Sequence, residues 1–115
     1  MGVADLKYID VDSALARVGG NEGLYKKLLG KFAESVDIAA VDAALAAGRF
    51  EEAGQIVHAA KGVAGNLSLT AFFEASETLM DQLRPPVEAL PKEEDAAAFK
   101  TLYKETVEAI NQYLG

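Results

Sequence analysis

Apolar residues recur at intervals of three or four positions along most of the chain and almost never alternate with polar ones. This is the period of an amphipathic helix, not of a strand. The pattern therefore predicts an all-α chain with four main helices and one short one. Because short connections between long amphipathic helices favour antiparallel neighbours, we expect an antiparallel up-down four-helix bundle with a short accessory N-terminal helix. We expect residues 1–115 to form one domain.

Capping residues and helix breakers set the expected helix bounds. Candidates for the N-caps of the first, second and fourth helices are Asp10 or Asp12, Asn21, and Ser68 or Thr70. The expected ends of those three helices are Gly19-Gly20, Gly48 and Pro85-Pro86. The third helix is predicted from about Arg49 to Leu67, and the last one follows Pro91 with an acidic first turn.

The second predicted helix is a single long one. Its apolar stripe comprises Leu24, Tyr25, Leu28, Leu29, Phe32, Val36, Ala39, Ala40, Ala43 and Ala47. The stripe keeps the helical period from one end to the other, so nothing in the apolar spacing predicts a break.

The third predicted helix carries the only histidine of the chain, His58. At about 100° per residue, one set of apolar positions falls within roughly a third of the circumference. That set is Ala53, Ile56, Val57, Ala60, Val63, Ala64 and Leu67. A second set, centred about 150° away, faces the other side. It comprises Gly54, Gln55, His58, Lys61, Gly62 and Gly65. We expect the first set to face the core and the second to face solvent or a partner.

Two simpler interpretations of this helix stay open from the sequence alone. A lone helical histidine is often a partly buried, hydrogen-bonded core residue. Gly62 could also end one helix after Lys61, with another beginning near Asn66. The angular placement of His58 argues against the first interpretation, and the apolar period that continues through both glycines argues against the second.

If the helix continues, the residues around His58 suit phosphoryl transfer. Two glycines cost a helix interior about 2 kcal/mol relative to alanine, so their presence calls for a reason. A neutral imidazole can attack phosphorus near pH 7 without a separate base. Lys61 and Gly62 lie one turn from His58, where the lysine supplies positive charge and the glycine leaves room for the active-site loop of another protein.

Composition excludes several other functions. A formal charge of −7 disfavours nucleic acid and anionic membrane surfaces as partners, and the lack of cysteine excludes disulfides and thiol catalysis. The sequence shows no membrane-spanning run, no signal peptide, no nucleotide-binding loop, no grouped metal ligands and no nucleophile elbow around a serine. We therefore expect a cytoplasmic protein, a monomer, with no metal or cofactor of its own.

The run His58, Lys61, Gly62, Gly65, Asn66, Leu67 and the upstream stretch IDVDSALARVGGNEGLYKKLLGKF resemble the histidine-containing phosphotransfer (HPt) domain of bacterial two-component phosphorelays. The resemblance spans nearly the whole chain. It implies a four-helix bundle in which His58 is phosphorylated, Lys61 is the cation beside the phosphate, and Gly62 gives clearance for a receiver domain. The implied partners are response-regulator receiver domains or a hybrid sensor histidine kinase, which supply the nucleotide and the metal.

The chain departs from the family pattern at two positions. Many members have glycine in place of Ser68, at the helix turn. Several have a glutamine that hydrogen-bonds the imidazole where this chain has Met80, so Gln55 is either a substitute for that glutamine or simply a solvated side chain.

The resemblance also implies which surface meets the receiver. Gln55 and Gly65 lie beside the histidine on its helix, and Val11, Leu15 and Leu24 fall on the docking surface of the family. The last three could equally be core, an interpretation that we favour for Leu24. The competing hypothesis for the whole chain is a non-catalytic docking or scaffold bundle in which His58 is inert.

Overall fold

A computed structural model describes residues 8–85, 87 and 89–115, which form α-helices and no strand. The helices are α1 (Val11–Arg17), α2 (Glu22–Ala33), α3 (Ile38–Ala46), α4 (Phe50–Asn66), α5 (Thr70–Gln82) and α6 (Glu93–Leu114). The all-α class is confirmed, and the bounds of α1, α4 and α6 agree closely with the predicted ones. Leu83 caps the end of α5, just before Pro85, whereas Pro86 lies outside the described residues.

The longer helices pack one against the next around one core. Helix α3 packs against α4, α4 against α5, α5 against α6, and α6 against α2, while α1 contacts α2. Four aromatic rings contact one another at the centre, with centroid separations of 5.0–5.6 Å. They belong to Phe32, Phe72, Phe99 and Tyr103. Aromatic contacts of this kind join helices α2, α5 and α6.

The predicted single long second helix is wrong, because the chain breaks between Ala33 and Ile38. The hydroxyl group of Tyr103 on α6 donates a hydrogen bond to the Ala33 carbonyl at 2.8 Å and satisfies a terminal acceptor of α2. On the other side of the break, Asp37 caps α3 by accepting from the Ala40 amide at 2.9 Å. A long-range contact and a local cap therefore replace the helix that the apolar spacing predicted.

The turn between α4 and α5 also differs from the prediction. The N-cap of α5 is Leu69, and no side chain caps this helix, so neither Ser68 nor Thr70 has the predicted role. Ser68 instead adopts a φ of 58°, in the left-handed region. The Leu69 amide donates to the Ala64 carbonyl at 2.9 Å and the Ser68 amide to the Gly65 carbonyl at 3.3 Å. This is a Schellman motif whose left-handed position, usually glycine, is a serine.

Candidate functional site

Helix α4 runs without interruption from Phe50 to Asn66, through both glycines near the histidine. The interpretation in which Gly62 ends a helix is therefore wrong. His58 lies midway along α4 and its side chain is exposed. Within the part of the chain that the structure describes, nothing hydrogen-bonds to the imidazole. The interpretation of His58 as a buried core histidine is wrong as well.

The predicted two-sided character of α4 is confirmed, with two exceptions. Ala53, Val57, Ala60, Ala64 and Leu67 are buried, and Ile56 is half-buried, whereas Gln55, His58 and Gly62 are exposed.

The exceptions are Val63 and Gly54. Val63, predicted to face the core, is 42% exposed, and Gly54, predicted to face outward, is buried. A Cβ atom at Gly54 would lie 3.8 Å from Leu83 Cβ, just past the end of α5. Helix α4 packs against both α3 and α5, so two neighbours determine which side of it is buried. The buried side is therefore rotated relative to the arc of apolar residues that the sequence predicted.

Lys61 is half-buried, with 22% of its side chain exposed. Its Nζ atom lies 3.8 Å from Glu77 Oε2 and 5.5 Å from the centroid of the Phe73 ring, both on α5. The hydrocarbon part of the Lys61 side chain therefore covers apolar surface, while its ammonium group lies at the edge of the contact between α4 and α5. These contacts of the ammonium group are thus with α5, where the Glu77 carboxylate is its ion-pair partner.

The two glycines of the outward stripe differ in their surroundings. A Cβ atom added at Gly62 would meet nothing within 4 Å. One added at Gly65 would lie 3.2 Å from Phe73 Cε1, closer than ordinary van der Waals contact. The packing of the chain itself accounts for Gly65, whereas nothing inside the described structure requires a glycine at position 62.

A shallow depression of about 240 Å³ lies beside the imidazole, between α4 and the end of α5. Its lining is Glu51, Gly54, Gln55, His58, Met80, Leu83, Arg84 and Pro85. Met80, the residue at which the chain departs from the expected family pattern, is half-buried and gives the depression an apolar wall. Gln55 is exposed and does not hydrogen-bond to His58, so the structure does not show it as the substitute for that glutamine.

Arg84, which the sequence pattern did not single out, lines the same depression as His58 and pairs with Asp81 at 3.2 Å. A signal was available in the sequence. Arg84 follows Met80 by four positions, so both fall on one side of the predicted fourth helix. The family pattern places position 80 next to the histidine, which indicates that Arg84 lies near it as well.

A second depression of about 410 Å³ lies on the opposite side of the histidine, between α4 and the start of α3. Its lining is Ser35, Val36, Asp37, Gln55, Ile56, Ala59, Ala60 and Val63. Gln55 borders both depressions, so the exposed centre of α4 separates two partly apolar hollows. The unexpected exposure of Val63 belongs to this surface.

The N-terminal residues predicted to meet a partner lie at different depths. Val11 and Leu15 on α1 are half-buried and pack against the core. Leu24 at the start of α2 is 41% exposed, so our core interpretation of this residue is wrong. Arg17 ties α1 to the end of α4, because its Nη1 atom donates to the Gly65 carbonyl and to Ser68 Oγ, both at 2.6 Å.

Residues 8–85, 87 and 89–115 contain no group of three or more histidine, cysteine, aspartate or glutamate side chains that could hold a metal ion. The same residues include no helix that is long and apolar enough to cross a membrane.

Comparison with known protein families agrees with this geometry. The family model described as "Hpt domain" matches residues 27–113, a segment that begins within α2 and contains α3, α4 and α5 and most of α6. No curated protein matched the chain. No solved structure matched it either.

Proposed function

The chain belongs to the Hpt domain family, and we propose that it carries a phosphoryl group on His58 within a two-component phosphorelay. Hpt domains are phosphotransfer carriers and not enzymes in the ordinary sense. The observation that carries the proposal is the placement of the only histidine of the chain, exposed midway along α4 with no partner for its ring among the described residues.

The proposed reaction moves a phosphoryl group between an aspartate of a receiver domain and His58. The lone pair of one ring nitrogen forms the N–P bond while the bond from phosphorus to the aspartate oxygen breaks, and the aspartate leaves as a carboxylate. The proton on the other ring nitrogen is released to water. A neutral imidazole needs no added base for this attack. The metal that stabilises charge during transfer belongs to the receiver.

Lys61 and Gly62 are proposed to assist at His58. Both lie one turn from the histidine on the same side of α4. The ammonium group of Lys61 offsets the negative charge of a phosphoryl group, which is about −1.5 to −2 near pH 7. The empty space at Gly62 admits the partner, since a Cβ atom there would meet nothing within 4 Å.

The proposed docking surface for a receiver or for a hybrid sensor histidine kinase is the outward side of α4 with its two flanking depressions. Gln55, at the border of both, is its centre. Val11 and Leu15 extend it from α1, and Gly65 supports it by letting Phe73 pack close to the helix. Apolar hollows around a polar centre are typical of protein–protein interfaces.

The proposal also covers the arrangement of the protein. The packing of α3 on α4, α4 on α5, α5 on α6 and α6 on α2 supports an antiparallel up-down four-helix bundle in which α2 and α3 together form one member and α1 is accessory. The protein would act in the cytoplasm as a monomer, without a nucleotide, metal or cofactor of its own.

The test compares the wild type with His58→Gln after incubation with a panel of phosphorylated receiver domains. The wild type should acquire a phosphoryl group that is labile in acid and stable in base, and His58→Gln should acquire none. Since His58 is exposed, the variant should unfold at the same denaturant concentration as the wild type. If no active receiver labels the wild type, the alternative of a docking bundle with an inert histidine is the correct one.

A further inference from the structure

We propose that Glu77 on α5 restrains Lys61 while His58 is unphosphorylated and releases it to the phosphoryl group, so that Glu77 sets how readily His58 is phosphorylated. This inference rests on the proposed function of His58. Glu77 is a positioning residue that acts through Lys61 and takes no part in the bond changes.

The ammonium group of Lys61 makes its contacts with α5, the helix next to that of His58. Lys61 lies three residues after His58, so their side chains are surface neighbours on α4. Yet the Lys61 Nζ atom lies 3.8 Å from Glu77 Oε2 and 5.5 Å from the centre of the Phe73 ring. Both contacts are with α5. The cation nearest to His58 in the sequence is thus held by the neighbouring helix.

Once His58 is phosphorylated, two anions compete for the ammonium group of Lys61. The Glu77 carboxylate carries one negative charge, and a phosphoryl group carries about −1.5 to −2 near pH 7 with three acceptor oxygens. The ammonium group of lysine is a compact charge on a flexible four-carbon stem, so it can turn from one anion to the other. The phosphoryl group is the stronger of the two, and its arrival on His58 draws Lys61 away from Glu77.

The restraint that Glu77 places on Lys61 is weak. Glu77 is 53% exposed and the distance of 3.8 Å is long for an ion pair, so solvent screens the contact. Exposed pairs of this kind change an equilibrium by about two- to fivefold. A restraint of that size biases Lys61 without preventing its release.

The experiment uses phosphoramidate at a fixed ratio to ammonia, which phosphorylates the histidine without a docked protein. One ring nitrogen attacks phosphorus, the P–N bond of phosphoramidate breaks, and the departing nitrogen takes a proton from water and leaves as ammonia. The imidazole loses its other N–H proton to water. The measured quantity is the ratio of phosphorylated to unphosphorylated protein at the plateau.

Glu77→Gln should raise this ratio by about two- to fivefold, because Lys61 then has no competing carboxylate. Glu74→Gln is the matched control, since Glu74 is an exposed carboxylate on the same helix. It should leave the ratio unchanged. In a Lys61→Met background, Glu77→Gln should have no effect, which separates the restraint of Lys61 from simple repulsion between Glu77 and the phosphoryl group.

A Glu77→Gln ratio equal to that of the wild type would overturn the inference, as would an equal increase in the Lys61→Met background. Those failures leave the proposed function intact if receivers label His58. Conversely, a wild type that phosphoramidate labels on His58 but no receiver labels would contradict the proposed function while the comparison of the variants still decides the role of Glu77.

Discussion

The middle of α4 and the turn at its C-terminal end differ in what covers them. We call His58, Lys61 and Gly62 the open segment, and Gly65, Leu67 and Ser68 the closed segment. In the open segment the imidazole is exposed and a Cβ atom at Gly62 would meet nothing within 4 Å. The closed segment is covered by other parts of the chain. Packing within the protein therefore accounts for Gly65 but not for Gly62.

Three contacts cover the closed segment. Phe73 packs against Gly65, and its Cε1 atom would lie 3.2 Å from a Cβ atom added at Gly65. Arg17 donates to the Gly65 carbonyl and to Ser68 Oγ, each at 2.6 Å. The buried Tyr25 hydroxyl donates to the Leu67 carbonyl at 2.8 Å. Helices α1, α2 and α5 thereby meet at the end of α4, and changes here should affect stability before function.

A leucine at position 62 should break the open segment without unfolding the protein. Gly62→Leu should slow phosphoryl transfer from a receiver by about a hundredfold, because the new side chain displaces the reacting groups. Helix propensity should raise the free energy of unfolding by about 0.5–1 kcal/mol. Labelling by phosphoramidate should stay close to that of the wild type, because this small reagent needs no docked protein. Phosphotransfer assays quenched at a series of times and urea unfolding measure these quantities. Transfer from a receiver at the wild-type rate would show that Gly62 gives no clearance.

The same substitution at position 65 should have the opposite pattern. Gly65→Leu forces a side chain against Phe73 and should lower the free energy of unfolding by about 1–3 kcal/mol. Transfer measured per folded molecule should fall far less than in Gly62→Leu. Urea unfolding and transfer assays on the two variants in parallel provide the comparison. A Gly65→Leu protein as stable as the wild type would contradict the packing explanation of Gly65.

Removal of one hydroxyl group should weaken the closed segment in a smaller step. Tyr25→Phe deletes the donor to the Leu67 carbonyl and leaves that buried acceptor unpaired, so the free energy of unfolding should fall by about 1–2 kcal/mol. The phosphorylation of His58 should not change. Tyr103→Phe is a useful comparison, because it removes a donor at the end of α2, away from the end of α4. Unchanged urea unfolding of Tyr25→Phe would show that this hydrogen bond does not stabilise the turn.

Alkaline pH should weaken the same contact gradually. Burial raises the pKa of Tyr25 above its ordinary value of 10.0, with smaller contributions from Tyr113 and Asp10. Burial, and then the hydrogen bond to Glu22, raise the pKa of Tyr113 to about 12.

Both phenols thus ionise more easily in the unfolded chain. Their contribution to stability is full below pH 10 and is lost as the pH rises from 10 towards the higher folded-state pKa values. Urea unfolding at a series of pH values should show this loss, and it should be smaller in Tyr25→Phe. An equal loss in both proteins would mean that Tyr25 is not one of the groups responsible.

Local signals in the sequence predicted most of α1, α4 and α6. The cap at Asp10, the expected end of α1 at Gly19-Gly20 and the unbroken period of α4 are each confirmed. The exposure of His58 is confirmed as well, because the polar stripe around it is long enough to fix its direction. The roles of His58, Lys61 and Gly62 stay predictions, which the experiments above test.

Features that depend on distant parts of the chain could not be predicted. A hydroxyl group from α6 stabilises the break after α2. The local signal for this break is Asp37 as an N-cap, but the nearby alanines fit either side of a helix, so the apolar spacing does not reveal it. The rotated buried surface of α4, which exposes Val63, follows from packing against both α3 and α5.

The end of α4 shows the same limit in a single residue. Glycine at the left-handed position is the usual signal for a Schellman motif, as at Gly48 with a φ of 75° after α3. Ser68 takes that position after α4 at a cost of about 1–2 kcal/mol. Its hydroxyl group accepts from Arg17 and donates to Ser13 Oγ at 3.2 Å, contacts that offset the strain. Only the folded chain brings these partners together.

The most direct test of the account locates the phosphoryl group on the wild-type chain after transfer from a phosphorylated receiver. The protein is digested in base, where phosphohistidine survives, and each peptide is assigned by mass spectrometry. We expect one labelled position, His58, and loss of the label in acid. A label on any other residue, or the same label on His58→Gln, would contradict the account.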